Sequence, residues 1–343
     1  MRFEFYHDGL DNVPKLSVDG TVSNSIHFSH WEGNRTPDEV KADTSTEIAF
    51  NLVASPNKQK LTQGIELVTN NHFDTDGVLS VWTVLNGERA LDLRQQLIPA
   101  AEAGDFSEFS TENGVRASIV IQGSDQASPN NETGSPLAAY LAGKEVSDDA
   151  EAYELVLPEV ERVLRNISEY ESLWRGGWAA IASAIESFEK GQSTVEEYQD
   201  ALLSLITLAP EVFSASGFNP TRHAAPYTAI SRYARGQVFL IATPFRDGWT
   251  YRIDYPYYSW AETVVRPGVV RHDFGAMIAQ LNQIEQNRDG SWKVDNSEMT
   301  SAVKFLDSSN TLAASHLRPD ELVSLMQAEL LSKNAARVGV CPK

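Results

Sequence analysis

The stretch 65–79, IELVTNNHFDTDGVL, decides the predicted fold of this chain. Its first six residues are typical of a β-strand, and apolar residues at helical spacing follow Gly77. A strand, an acidic loop and a helix in this order are typical of an α/β unit, in which ligands gather where strands end. The sequence therefore predicts an α/β fold with a mainly parallel sheet in an N-terminal lobe.

The rest of the chain indicates further segments, because 343 residues exceed the usual length of a single domain. Helical patterns extend across about 150–190, and a β-hairpin is predicted within 238–255, with the stretch 259–265 extending its sheet. We therefore predict an α/β metal-binding domain over 1–145 and a helical linker over 146–195. A smaller α+β substrate or cap domain follows over 196–343.

The composition restricts the partners of the protein. Acidic residues outnumber basic ones by 47 to 28, for a net charge of −19, and such a field repels long nucleic acid and anionic membranes. A local pocket for a small anionic substrate remains compatible with it. The N-terminus is too polar for a signal peptide, and the single cysteine fits a reducing compartment. We expect a cytoplasmic protein without membrane contact, compatible with a homodimer.

Three potential metal ligands, His72, Asp74 and Asp76, alternate along the acidic loop. If residues 69–75 are extended, these side chains point to one side. Imidazole and carboxylate groups suit Mn²⁺, Fe²⁺, Zn²⁺ and Mg²⁺, and Gly77 permits a sharp turn into a helix whose N-terminus attracts phosphate. The sequence predicts a site for one of these divalent ions. The alternative is an Asp-rich turn in which Asp74 or Asp76 only caps the helix.

The run 71–80 resembles the first motif of the DHH-type phosphoesterases, in which a strand ends in a histidine and two aspartates before a glycine and a helix. The resemblance implies that His72, Asp74 and Asp76 are ligands of a two-manganese centre. Such a centre activates a water molecule for attack on phosphorus. The implied activity is phosphoesterase chemistry.

The Asp-His-His triplet of those enzymes occurs nowhere in this sequence, and the glycine-rich substrate motif of their C-terminal domain is also missing. A complete centre would therefore need other ligands. The candidates are His30, Asp43 and Asp105, and His30 is also a candidate catalytic group.

A wider resemblance covers most of the chain. The segments 30–37, 42–47, 103–106 and 258–260 are similar to an uncharacterised bacterial domain family. That family implies no activity.

The C-terminal part supplies two further candidates for catalysis. His223 could act as an acid or as a phosphate contact. Arg252 could bind an anionic group through two parallel hydrogen bonds, as could Arg232 and Arg271.

The preferred hypothesis is a divalent-metal-dependent hydrolase of a phosphate ester or anhydride, with metal-activated water as the nucleophile. One alternative is an Fe(II)/2-oxoglutarate oxygenase that uses His72, Asp74 and His223 on a double-stranded β-helix. Another is a non-enzymatic binding protein stabilised by its metal. The sequence contains no P-loop, dinucleotide fingerprint, nucleophile elbow or zinc-protease helix, which excludes those reaction classes.

Overall fold

The computed structural model describes residues 1–124, 134–214, 216–295 and 303–338. These residues form two compact units. The N-terminal unit contains the described residues within Met1–Ala127, Asn131–Ala179 and Trp260–Gly268, and the C-terminal unit contains those within Ala180–Ser259 and Val269–Lys343. The predicted division into three functional segments, at residues 145 and 195, stays a prediction.

The N-terminal unit contains a parallel sheet, as predicted. Its strands have the order β1-β4-β2-β3, and every pairing in it is parallel. The apolar residues of the two central strands are fully buried, which is typical of a parallel sheet covered on both faces. The strands are β1 (Arg2–Phe3), β2 (Lys15–Val18), β3 (Ser25–Phe28) and β4 (Leu67–Thr69).

Helices dominate the chain from residue 45 to residue 189. Thr44 caps the first of them by accepting a hydrogen bond from the backbone N–H of Glu47 at 3.1 Å. In the part of the chain that the structure describes, none of the helices has the length and apolarity needed to cross a membrane. The helices are α1 (Ser45–Ala54), α2 (Lys58–Leu61), α3 (Thr75–Asn86), α4 (Glu88–Leu91), α5 (Arg94–Phe106), α6 (Glu112–Gln122), α7 (Pro136–Ala142), α8 (Asp149–Val156), α9 (Val160–Arg165) and α10 (Glu171–Glu189).

The acidic loop that follows β4 does not stay extended, so the condition under which His72, Asp74 and Asp76 would point to one side is not met. The chain bends within the run, and Asp74 Oδ1 accepts a hydrogen bond from the backbone N–H of Gly77 at 2.7 Å. This contact makes Asp74 the N-cap of α3, and a cap requires the chain to leave the strand direction. Asp76 consequently lies in the first turn of the helix.

The C-terminal unit contains a mixed sheet with strand order β5-β6-β7-β8-β10-β9. The β6–β7 pairing is parallel and the others are antiparallel, and the β7–β8 hairpin was predicted. The strands are β5 (Thr194–Tyr198), β6 (Leu203–Thr207), β7 (Val238–Phe245), β8 (Gly248–Asp254), β9 (Gly290–Val294) and β10 (Val303–Asp307). The remaining helices are α11 (Tyr227–Tyr233), α12 (Gly275–Ile284) and α13 (Pro319–Val338). The predicted α/β class, with a parallel N-terminal sheet, a helical middle and a C-terminal α+β part, is confirmed.

The stretch 259–265 was predicted as a strand, and that prediction is wrong. Residues Tyr257–Trp260 form a short 3₁₀ helix. The backbone N–H groups of Val264 and Val265 then donate to the carboxylate of Asp43. These N–H groups are therefore not available for strand pairing.

Candidate metal centre

Three neighbouring parallel strands end at one edge of the N-terminal sheet. Asp19 directly follows β2, His30 follows β3, and the acidic run follows β4. Because the carboxyl ends of parallel strands meet at the same edge, side chains far apart in sequence come together there.

The first group of potential ligands is buried. One ligand atom each from Asp19, His30 and Asp76 lies within 4.8 Å of the others. His30 Nε2 is 3.7 Å from Asp19 Oδ1 and 3.0 Å from Oδ2 of Asp105, which is in α5. We call Asp19, His30, Asp76 and Asp105 the inner cluster.

The second group is partly open to solvent. His72 Nε2 lies 2.8 Å from Asp19 Oδ2 and 3.1 Å from Asp74 Oδ2. The side chains of His72 and Asp74 are 27% and 24% exposed. We call Asp19, His72 and Asp74 the outer cluster. Asp19 belongs to both clusters, with Oδ1 toward His30 and Oδ2 toward His72.

Several buried atoms of the centre lack a hydrogen-bond partner among the described residues. They include Asp19 Oδ2, His30 Nε2 and Asp105 Oδ2. Asp19 Oδ2 and Asp105 Oδ2 lie near the imidazole nitrogens of His72 and His30, and an unsatisfied buried polar group is costly. All three atoms are of the kinds that bind divalent cations. The residues present therefore fit a metal ion.

The orientation of His30 also suits metal binding. Its Nδ1 lies 2.6 Å from the backbone carbonyl oxygen of Asp43. A carbonyl can only accept, so Nδ1 carries the proton and donates it. The lone pair of a neutral His30 is then on Nε2, which faces the inner carboxylates, and this arrangement is typical of metal-ligating histidines.

The surrounding carboxylates raise the pKa values of both histidines of the centre. Burial lowers the pKa of His30, but Asp105 and then Asp76 and Asp19 outweigh it and raise the pKa to about 10. Burial also lowers the pKa of His72, but Asp74 and Asp19 raise it to about 12.

The pKa values of the carboxyl groups are shifted in both directions. Burial raises the pKa of Asp105 to about 6 and that of Asp76 well above its ordinary value, while nearby carboxylates add to both effects. Burial also raises the pKa of Asp19, but His72 and His30 lower it to about 2. Without a metal ion, protonated imidazoles supply the positive charge that the carboxylates require.

Asp19 has a strained backbone. Its φ of 63° lies in the left-handed region, which is uncommon for a residue other than glycine. The Asp19 N–H donates to Phe28 O at 3.0 Å, and the N–H of Gly20 donates to Asn70 Oδ1 at 3.0 Å. Strain held by such contacts is common at functional sites.

Asp76 is fixed by the N-terminus of α1. Its two carboxylate oxygens accept hydrogen bonds from the backbone N–H groups of Ser45 and Thr46, both at 2.7 Å. Ser45 Oγ also donates to Asp19 Oδ1 at 2.9 Å. The positive end of α1 therefore favours the charged form of Asp76 and opposes the effect of burial, and each oxygen keeps a lone pair for a cation.

The structure brings together most of the predicted site residues of the N-terminal unit: His30, His72, Asp74, Asp76 and Asp105. The carboxylate of Asp43 is not in either cluster but bonds to the segment around Arg266. Sequence reasoning missed Asp19, because an Asp-Gly pair is typical of a turn. The available signal was its position directly after a strand.

His223 and Arg252 are in the C-terminal unit and line one small cavity there. His223 Nδ1 accepts from the N–H of Asn219 at 2.9 Å, and its ring stacks on Phe213. Arg252 Nε donates to Asp254 at 3.2 Å. Their catalytic roles stay predictions.

The oxygenase alternative requires a double-stranded β-helix. The described residues around His72 and Asp74 do not form this fold, so the expectation is wrong. His72 and Asp74 follow β4, which pairs in parallel with β1 and β2. The helix α3 then begins at Thr75.

No curated protein matches the chain. One solved structure with similarity to it is a pGpG-specific phosphodiesterase, PggH, from Vibrio cholerae. The identity is 11% and the TM-score 0.34, over 94% of this chain and 83% of that chain. The sequence profile of a family of unknown function, DUF6687, matches residues 2–331. The chain therefore belongs to the family DUF6687.

Proposed function

We propose that this protein is a divalent-metal-dependent hydrolase of a phosphate ester or anhydride. The observation that carries the proposal is the carboxylate of Asp19, which lies between His30 and His72 with one oxygen toward each. A shared carboxylate between two ligand groups suits a two-metal site. The resemblance of the run 71–80 to the first DHH motif agrees with this assignment.

Charge balance supports two cations. With both histidines neutral, the four carboxylates of Asp19, Asp74, Asp76 and Asp105 carry a charge that two divalent ions neutralise. Ions bound there would lower the pKa of water and stabilise negative charge on phosphorus oxygens. The mixed nitrogen and oxygen ligands accept Mn²⁺, Fe²⁺, Zn²⁺ or Mg²⁺. The resemblance of the run 71–80 to the first DHH motif favours Mn²⁺ among them.

The chain positions its ligands before any ion binds. Asp76 is held by the N-terminus of α1, and Asp74 caps α3 through Gly77. The positive ends of both helices therefore lie at the centre, where they favour an anionic substrate. A role in catalysis stays a prediction for His223 and for Arg252. A small phosphate-bearing substrate and a cytoplasmic location belong to this proposal.

The test starts with elemental analysis of protein purified without chelators or a nickel column. We expect about two Mn²⁺ ions per chain and Mn²⁺-dependent hydrolysis of bis(p-nitrophenyl) phosphate or of a phosphoanhydride. Asp74→Asn should remove most of this activity. The matched control is Asp38→Asn, since the Asp38 side chain is 95% exposed. A fully active Asp74→Asn protein would overturn the proposal.

A binding protein with a structural cation is the second candidate. It is favoured by the capping contacts of Asp74 and Asp76, which tie both clusters to helix ends. Removal of the metal would then lower the melting temperature, while the metal-loaded protein would hydrolyse neither phosphodiesters nor phosphoanhydrides.

A further inference from the structure

The segment Trp260–Gly268, which we call the strap, is part of the N-terminal unit. We propose that the strap closes the inner cluster and makes its cation exchange much more slowly than the cation of the outer cluster. This inference rests on the proposed two-metal centre and adds a function for residues that bind no metal.

The strap packs directly against His30. The indole ring of Trp260 meets the imidazole ring edge-on, with centroids 5.0 Å apart and an interplanar angle of 86°. Phe106 stacks on the same imidazole with a centroid distance of 5.5 Å. The backbone N–H of Glu262 donates to His30 O at 2.7 Å. His30 is therefore held by the strap through both its ring and its backbone.

Asp43 links the strap to the orientation of His30. Its carboxylate accepts hydrogen bonds from three consecutive backbone N–H groups of the strap, those of Val264, Val265 and Arg266. Its backbone carbonyl accepts the Nδ1 proton of His30. One residue thus fastens the strap and directs His30 Nε2 toward the inner carboxylates.

Arg266 ties the strap to α5, the helix that carries Asp105. Its guanidinium group donates to Asp43 at 2.8 Å, to Glu102 at 2.7 Å, and to Glu108. It also lies 5.0 Å from the ring centroid of Phe106. Such charge-assisted hydrogen bonds are the strong ones in proteins. Arg266 is therefore a positioning residue for two inner ligands, His30 and Asp105.

The two clusters differ in access to solvent. The side chains of Asp19 and His30 are fully buried, and that of Asp105 is 9% exposed, whereas about a quarter of His72 and Asp74 is exposed. A cation in the inner cluster can leave only after a local opening of the surrounding packing. A cation in the outer cluster can leave without it. Loosening the strap should accelerate only the slower release.

The experiment measures metal release rather than activity. Protein loaded with Mn²⁺ is mixed with excess EDTA, and the bound Mn²⁺ is determined over time after rapid desalting. The wild-type protein should lose its Mn²⁺ in a fast and a slow phase. His72→Ala should remove the fast phase and keep the slow one.

Arg266→Met is the principal test variant, and its slow phase should accelerate about tenfold or more. The matched control is Arg116→Met, because Arg116 also pairs with a glutamate, Glu112, and stacks on aromatic rings in the same unit. Val265→Ser is a control within the strap, since that side chain is 86% exposed and only the backbone binds Asp43. Both controls should release Mn²⁺ as the wild type does.

Conservative variants keep the test valid if Arg266→Met does not fold. Arg266→Lys and Trp260→Phe preserve charge or aromaticity, and both should show intermediate slow-phase rates in protein whose circular dichroism is unchanged. Wild-type protein that binds no Mn²⁺ would overturn the metal centre and this inference together. A single release rate in the wild type would overturn the closure alone. An unchanged slow phase in Arg266→Met, Arg266→Lys and Trp260→Phe would overturn the role of the strap.

Discussion

His72 Nε2 lies 2.8 Å from Asp19 Oδ2, and this pair connects the ends of two neighbouring parallel strands. Asp19 follows β2, and His72 follows β4. The other oxygen of Asp19 faces His30, so a single carboxylate joins the inner and outer clusters. Asp19 is therefore the member that the two candidate clusters share.

The first prediction concerns Asp19. Asn tolerates the left-handed backbone conformation of this position, so Asp19→Asn should fold while losing the shared negative charge. We expect loss of metal from both clusters and a fall in Mn²⁺-dependent hydrolysis of at least about a hundredfold. Asp74→Asn, which changes only the outer cluster, should retain about one Mn²⁺ per chain. Asp19→Asn protein with two bound ions would contradict the assignment of Asp19 as the shared ligand.

The second prediction concerns Asn70, a fully buried residue that holds Gly20 beside Asp19. Its Oδ1 accepts from the N–H groups of Gly20 and Asn71, and its Nδ2 donates to the hydroxyl of Tyr153 at 2.9 Å. Asn70→Ala leaves these groups without partners and should lower the free energy of unfolding by about 2–4 kcal/mol.

Urea denaturation of the metal-free protein measures this effect. The control is Asn57→Ala, since Asn57 is exposed and its side chain donates to Glu39 on the surface. The control should change the free energy by less than about 0.5 kcal/mol. Equal stabilities of the two variants would show that Asn70 does not hold the edge of the sheet.

The third prediction concerns the pH dependence of stability and Glu285, at the end of α12. Burial raises the pKa of Glu285, but hydrogen bonds from Ser315, Asn287, His316 and Trp292 outweigh it and hold the pKa below the ordinary 4.5. A carboxyl group whose pKa is lower in the folded state stabilises the protein at pH values above its ordinary pKa of 4.5. That contribution is lost as the pH falls below 4.5 toward the pKa of the folded state.

Glu285→Gln cannot show this titration, and it places an amide among donors. We expect a loss of about 1–3 kcal/mol at neutral pH and a shallower decline of stability on acidification. Thermal melts from pH 7 to pH 3 measure both effects. The control is Glu186→Gln, because the Glu186 side chain is 61% exposed. Parallel pH profiles of wild type and Glu285→Gln would contradict the prediction.

The fourth prediction concerns Lys15, whose side chain is fully buried beneath the N-terminal loops. Its ammonium group lies within hydrogen-bond distance of the backbone carbonyls of Leu10, Asp11, Val13 and Asn24. Lys15→Met keeps the length of the side chain but leaves these carbonyls unsatisfied. We expect a loss of about 2–4 kcal/mol in urea denaturation. Lys41→Met, at a side chain that is 41% exposed, should have little effect.

Local patterns in the sequence were sufficient to predict the class of the fold. The strand before the acidic run, the helix after it and the cap at Thr44 all follow from residue types and spacing within a few positions. The same spacing also identified His72, Asp74 and Asp76 as ligand candidates. The spacing did not indicate the backbone conformation of the acidic loop. Alternation alone indicates an extended strand there, whereas capping by Asp74 turns the chain into a helix.

Sequence alone identified His72, Asp74 and Asp76 as side chains that can bind a cation and predicted that they follow a strand. Only the tertiary structure decided how they are grouped, with Asp19 shared between two clusters and the carboxylate of Asp43 bonded to the strap. The physical reason is that periodicity reports local backbone geometry. The neighbours of a parallel strand, and therefore the residues that meet at its carboxyl end, depend on pairings between segments far apart in the chain.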